Sequence, residues 1–208
     1  MKKLLTLITT LLISASVVSA QGISIAPTAG LTIVTGPDAL SNDISEGGLG
    51  FSSAPHFGVK GKFSLPLIPL AITGQVLYTS FSGEGETMIT DGVTVPLETE
   101  SSLLIFGVGA EYIFVPGPIS PYLGFDFFYA NLGETKITST SSNFSYEQTI
   151  DGDSRTGIGI GGGLQIDIIP LIDIDVAAKY NINNLIGKED GEETFSTINL
   201  SASVSFGF

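Results

Sequence analysis

The stretch RTGIGIGGGLQIDI, residues 155–168, changes the character of its side chains at almost every step. One parity is apolar, and its members are Ile158, Ile160, Leu164, Ile166 and Ile168. The other parity is polar or glycine, and its members are Arg155, Gly157, Gly159, Gly161, Gly163, Gln165 and Asp167. Because successive side chains of a strand point to opposite faces, a period of two predicts a β-strand with one apolar and one polar face.

The same alternation predicts eight strands along the chain. They are residues 23–33, 55–64, 70–81, 99–114, 121–131, 155–168, 172–182 and 195–208. Three connections are short and contain proline, at 65–69, 115–120 and 169–171, whereas four are long and polar, at 34–54, 82–98, 132–154 and 183–194. Pro27 has no N–H for a ladder, so we expect a bulge or a change of parity there.

The chain combines a high mean hydropathy, +0.40, with no apolar run after residue 20 that approaches the roughly 20 residues of a spanning helix. Lipid cannot satisfy backbone N–H and C=O groups, so only helices and closed barrels span a membrane. An even strand number and alternating short and long connections are typical of bacterial barrels. We therefore predict an all-β fold, an eight-stranded antiparallel up-and-down transmembrane β-barrel formed by one domain, residues 21–208.

The first 20 residues carry the features of an export signal. Lys2 and Lys3 precede an apolar run, and small residues lead up to Ala20. This order predicts a secretory signal peptide over residues 1–20, cleaved between Ala20 and Gln21. An even number of strands puts both termini on the same side of the membrane as the short connections, which is predicted to be the periplasm. The chain contains no cysteine, which excludes disulfides, thiolate metal sites and thiol nucleophiles.

The net charge of −13 limits the possible partners. Without a basic patch to neutralise phosphates, nucleic acid is not expected to bind. Most acidic residues fall in the predicted loops and are densest at 151–153 and 189–193. We interpret them as solvated, mutually repelling charges, with weak binding of divalent cations as the alternative. No cofactor is expected.

Nine charged residues fall on the parity that faces the barrel lumen. They are Lys60, Lys62, Glu111, Asp126, Arg155, Asp167, Asp173, Asp175 and Lys179. About eight strands leave an interior with room for side chains or one small ligand, so we predict ion pairs that fill it. The alternative is a polar path or gated pore in which the pairs exchange partners. The inward glycines 157–163 would make room for bulky neighbours such as Phe128 or Tyr122.

The end of the chain alternates again and stops on an aromatic residue. The residues of the outward parity are Ile198, Leu200, Ala202, Val204, Phe206 and Phe208. This resembles the terminal signal that outer-membrane barrels present to the barrel assembly machinery. With the signal peptide and the strand count, the chain is similar to small eight-stranded barrels of the OmpX type and to the OmpA transmembrane domain. The resemblance implies a monomer in the outer membrane of a Gram-negative bacterium, with outer-membrane lipid and the assembly machinery as partners.

Function is less constrained than fold, since one fold hosts many functions. We predict a non-enzymatic protein with a structural or surface-interaction role through long acidic extracellular loops. One alternative is porin-like or OmpW-like passage of small or hydrophobic solutes. A second is a barrel enzyme that modifies lipid A, which would have to use His56, the only histidine, near the outer rim.

Overall fold

A computed structural model describes residues 22–88, 94–141 and 144–208. The predicted signal peptide and its cleavage site at Ala20 and Gln21 lie outside the described residues. Within the described ranges, none of the helical segments has the length and apolar character required to cross a membrane.

Eight strands form a closed antiparallel ring, which confirms the predicted barrel. They are β1 (Ile23–Gly36), β2 (Ser53–Ser64), β3 (Leu70–Met88), β4 (Thr94–Ile113), β5 (Ile119–Leu132), β8 (Asp153–Ile169), β9 (Ile172–Ile186) and β10 (Ser196–Gly207). Each pairs with its neighbours in that order, and β10 pairs with β1 to complete the ring. Two further strands, β6 (Thr135–Ser141) and β7 (Phe144–Ile150), form a hairpin that joins the edge of β4.

The two ends of the barrel differ. The short connections 65–69, 114–118 and 170–171 lie at one end, called here the turn end. The carboxyl terminus lies there too, where the Phe208 N–H donates to the Ile23 carbonyl (2.9 Å). The opposite end, called here the hairpin end, carries the 37–52 connection, the β6–β7 hairpin and the connection after β9.

At the hairpin end the strands extend beyond their expected limits. β3 and β4 stay in one register from Leu70↔Tyr112 to Met88↔Thr94, so the prediction of a loop over 82–98 was wrong. The predicted loop 132–154 likewise contains the β6–β7 hairpin. Most residues of both segments are polar or glycine, which weakens the alternation that reveals a half-buried strand, yet the backbone ladder forms independently of side-chain polarity. We call residues 80–88, 94–102, β6 and β7 the projecting sheet.

The alternation of inward and outward side chains is continuous through Pro27. β1 and β2 pair without a register shift from Ile23↔Phe63 to Ile33↔Ser53, so the expected bulge or parity change at Pro27 was wrong. The Pro27 ring points outward, and pairing with β10 passes over Ala26 and Pro27 and resumes at Thr28 in the same register. A missing N–H therefore interrupts the ladder locally without displacing the strand.

The barrel interior has two layers of opposite character. Near the hairpin end the inward residues form an apolar cluster, to which the 37–52 connection contributes Phe51, whose ring centroid lies 5.5 Å from that of Phe81. The other buried members are Val34, Ala54, Leu77, Leu103, Ile105, Phe128 and Ala130. Toward the turn end the inward residues are charged and polar. The outward face is apolar and exposed, as at Val108, Ile160 and Leu200.

Candidate functional site

Three charged side chains from separate strands meet in the polar layer of the barrel interior, toward the turn end. Lys60 Nζ on β2 lies 2.6 Å from Glu111 Oε1 on β4 and 2.7 Å from Asp175 Oδ2 on β9. Lys62 Nζ approaches the second Glu111 oxygen at 3.0 Å. The Glu111 side chain is 1% exposed and that of Lys60 8%, so this cluster is removed from water. A buried charge is tolerated only when it is paired, and here each charge has a partner of opposite sign.

Tyr122 completes this cluster. Its hydroxyl donates to Asp175 Oδ1 at 2.7 Å, which leaves the other Asp175 oxygen for Lys60. The Nζ atoms of Lys60 and Lys62 lie 5.2 and 5.3 Å from the centre of the Tyr122 ring, a distance at which a cation is attracted to the ring face. We call Lys60, Lys62, Glu111, Asp175 and Tyr122 the lumen cluster.

A second pair lies beside the lumen cluster. Lys179 Nζ on β9 donates to Asp126 Oδ2 on β5 at 2.5 Å. Lys179 requires the neighbouring glycine, because a Cβ at Gly161 would lie 2.5 Å from the Lys179 Cα. At Gly163 a Cβ would lie 2.5 Å from the Tyr122 hydroxyl, and at Gly157 it would lie 2.5 Å from the Phe128 ring. The inward glycines therefore make room for bulky neighbours, as the sequence predicted.

The remaining charged residues of the predicted set lie elsewhere. Asp173 accepts a hydrogen bond from Gln165 Nε2 (2.8 Å), and Lys62 donates to the same amide at Oε1 (2.9 Å), so Gln165 links Asp173 to the lumen cluster. Asp167 is exposed near the turn end. Parity alone had placed the nine predicted charges in one set. In the structure four of them belong to the lumen cluster, two form the adjacent pair, Asp173 is linked to the cluster through Gln165, and Asp167 and Arg155 lie at the two ends.

Arg155 lies at the hairpin end and pairs with carboxylates outside the lumen. Its guanidinium contacts Asp153, and its Nη2 lies 3.1 Å from Glu192 Oε2. Burial raises the pKa of Glu192, but hydrogen bonds from Asn184, the Glu189 N–H and Arg155 outweigh it and hold that pKa below the usual range for glutamate. The ionised Glu192 therefore anchors the connection after β9 to the barrel wall at neutral pH.

His56 is enclosed in the lumen, only 2% exposed. Its Nδ1 lies 3.0 Å from Thr32 Oγ1, and its Nε2 lies 3.0 Å from Ser201 Oγ. Gly30 borders the ring so closely that a Cβ there would lie 2.7 Å from Nε2. An enzyme that modifies lipid needs its base within reach of the membrane surface, and this enclosed imidazole has its two nitrogens occupied by hydroxyls.

The outward residues of the last strand lie between β1 and β9. Leu200, Val204, Phe206 and Phe208 are each a little over 40% exposed, and Ala202 shares their face. Their side chains form a continuous apolar stripe that leads to the carboxyl terminus at the turn end. Among the described residues, no three His, Cys, Asp or Glu side chains are grouped closely enough to hold a metal ion.

Comparisons with known proteins agree with this architecture. Neisserial surface protein A (NspA) is 17% identical, with a TM-score of 0.53 and coverage of 91% of this chain and 98% of that one. A major outer membrane protein from Thermus thermophilus is 13% identical, with a TM-score of 0.58 and coverage of 91% and 100%. These likenesses show the fold alone, and no curated protein matches the chain.

The model of one protein family, described as the outer membrane protein beta-barrel domain, matches residues 7–208. The match includes all eight strands of the ring, from β1 to β10. The outward apolar face and the closed ladder are the two properties that a lipid environment requires of strands. The chain therefore belongs to the outer membrane β-barrel domain family, and its strands cross the outer membrane.

Proposed function

We propose that the protein is a plugged barrel with a structural or surface-interaction role, which holds an acidic sheet outside the cell. The observation that carries this proposal is the lumen cluster. Its side chains reach across the interior from β2, β4, β5 and β9 and bury their charges against one another. A lumen filled in this way offers solutes no continuous path. We therefore assign the function of the protein to its surfaces outside the membrane.

The orientation of the barrel is part of the proposal. In outer-membrane barrels the short turns lie in the periplasm and the longer connections lie outside. The turn end, with both ends of the described barrel, is therefore assigned to the periplasm. The projecting sheet is assigned to the cell exterior.

The projecting sheet is strongly acidic. Its exposed carboxylates, with one from the connection that enters β6, are Glu84, Glu86, Glu98, Glu100, Glu134 and Glu147. Lys136 is the only basic residue within it. Such a surface repels anionic lipid headgroups within a Debye length and attracts cationic or cation-bridged partners. Unbroken β3–β4 pairing from the membrane to Met88 gives the sheet a rigid base.

Conductance in planar bilayers tests the plug. We expect purified protein to give no repeated unitary openings at neutral pH, because opening the lumen would break the ion pairs of the lumen cluster. A porin of known conductance in the same bilayers is the positive control. Frequent openings of constant size would contradict the plugged barrel and support passage of solutes through the lumen.

Site-directed labelling tests the orientation, and the absence of cysteine makes it direct. Ser82→Cys lies on the exposed outward face of the projecting sheet, and Leu67→Cys lies in a fully exposed short turn. A membrane-impermeant maleimide should label the first variant on intact cells and the second only after the outer membrane is permeabilised. Labelling of Leu67→Cys on intact cells would reverse the assigned orientation.

The last residue tests the proposed assembly signal. Phe208→Ala keeps the backbone N–H that bonds to Ile23, so it removes the aromatic group without removing the ladder contact. We expect several-fold less protein in the outer membrane, while refolding of the purified variant into detergent stays close to wild type. Equal outer-membrane levels would show that the assembly machinery does not depend on this side chain.

A further inference from the structure

We propose that a cavity at the hairpin end binds a small, uncharged, apolar molecule that carries one hydrogen-bond donor. The cavity has a volume of about 200 Å³ and lies between the 37–52 connection, the inner wall of the barrel and the connection after β9. It is separate from the lumen cluster, since the two sets of lining residues have none in common. Its occupation therefore does not depend on whether the lumen conducts.

The walls of the cavity are mainly apolar. They are formed by Leu40, Leu103, Ala130, Leu132 and Phe195. Leu103 and Ala130 are almost fully buried and belong to the apolar layer of the barrel interior. An apolar cavity of about 150 Å³ in another protein holds one benzene molecule, so the present volume suits a single ring system or a short branched chain.

One polar group in this wall has an unmet requirement. Asn183 is 1% exposed and lines the cavity. Its Nδ2 donates to Thr197 Oγ1 (3.2 Å), whereas its Oδ1 has no hydrogen-bond partner among the described residues. Buried acceptors are nearly always satisfied, because an unmade hydrogen bond retains the full desolvation penalty. A ligand hydroxyl or N–H would supply the missing donor once the Asn183 amide turns its Oδ1, which is fully covered in this structure, toward the cavity.

The charges at the rim select against anions. Three carboxylates, Asp153, Glu192 and Glu193, line the mouth with a single cation, Arg155. That cation is already engaged by Asp153 and Glu192, so it is not free for a ligand carboxylate. The apolar walls would also desolvate any charge carried into the interior. These features together favour a neutral molecule.

The mouth is held open by fixed contacts. Asn184 Nδ2 donates to Glu192 Oε1 (2.7 Å) and to the Glu193 carbonyl (2.8 Å), while Asn184 Oδ1 accepts from the Phe195 N–H (2.8 Å). These bonds bind the 192–195 segment to β9. A preformed site avoids the entropy of ordering its loop when a ligand binds.

Indole is a suitable probe, because it is one apolar ring system with a single N–H donor. The full-length mature protein would be placed in phosphatidylcholine nanodiscs with leucine methyl groups labelled for NMR. Leu103 reports the cavity, while the outward Leu200 reports partition of indole into lipid. We expect saturable shifts at Leu103 and only linear, non-saturating shifts at Leu200. A Leu103 response that follows Leu200 would overturn the proposal.

Two related ligands test the assigned chemistry. 1-Methylindole lacks the donor and should bind about tenfold more weakly, as expected when a buried acceptor stays unpaired. Indole-3-acetate keeps the donor but adds a carboxylate, and it should give no saturable shift at Leu103. Equal binding of indole and 1-methylindole would refute the role of the Asn183 acceptor, and tight binding of the anion would refute the role of the rim charges.

Variants locate the site. Asn183→Leu removes the acceptor at similar volume and should abolish the preference for indole over 1-methylindole. Ala130→Leu fills the cavity and should abolish binding of both ligands. Ala202→Leu adds the same volume on the outward face, so it should bind indole like wild type. Unchanged binding by Ala130→Leu would place the ligand elsewhere and contradict the proposal.

Discussion

Replacing Lys60 by methionine is expected to lower the free energy of unfolding by about 3–5 kcal/mol, the usual effect of removing one partner of a buried ion pair. Methionine retains most of the length of the side chain but none of its charge. Glu111 would then rely on Lys62 alone, and Asp175 on the Tyr122 hydroxyl. The measurement is equilibrium unfolding in urea of the protein folded into lipid vesicles.

The same replacement at Lys136 provides the matched control. Lys136 is exposed on the projecting sheet, so Lys136→Met should change the free energy of unfolding by less than about 1 kcal/mol. The double variant Lys60→Met with Glu111→Gln should recover part of the loss, because both charges are then absent. If Lys60→Met is as stable as Lys136→Met, the lumen cluster does not hold the barrel together.

Placing a lysine at Val108 is expected to lower the free energy of unfolding by about 2–4 kcal/mol, the range for a cation at the bilayer midplane. Val108 is 63% exposed on the outward face and lies midway along the membrane part of β4, between Gly74 and Phe127. Ile160 and Val176 share this face, so lysine there should have effects of similar size. Glutamate at Val108 should destabilise less than lysine.

Ser82→Lys is the control for position. Ser82 is outward on the projecting sheet and pairs with Glu100, so a lysine there meets water and an opposite charge. Its effect should lie within about 0.5 kcal/mol, as for most surface substitutions. A Val108→Lys variant as stable as Ser82→Lys would mean that β4 does not present this face to lipid.

The membrane part of the barrel could be predicted because lipid imposes a strict rule on sequence. Every outward residue of β8 and β9 must be compatible with hydrocarbon, and the alternation seen in residues 155–182 follows directly. The projecting sheet was not predicted, because a strand that lies in water has no face that must be compatible with hydrocarbon. There most side chains are polar or glycine, so the alternation that marks a strand is weak while backbone pairing continues.

Parity predicted which charges point inward but could not show which of them meet. Whether Lys60 contacts Glu111 or Asp126 depends on how far each strand is shifted against its neighbours and on distances across the lumen. Arg155 illustrates the limit, because it shares the parity of Gln165 but lies near the end of β8 and pairs with Glu192. Tyr122 was expected only to fill space, and its hydroxyl contact with Asp175 depends on strands that are not neighbours in the ring.

Alternation along the chain is sufficient to predict the strand pattern, the closed barrel, the apolar outward face and the presence of opposite charges inside, since each follows from that alternation and from the demand of lipid for a satisfied backbone. The partners within the lumen cluster, the enclosure of His56 and the apolar cavity beside Asn183 are visible only in the folded barrel. Those features arise where side chains from distant strands converge, and convergence depends on register and closure rather than on the order of residues along one strand.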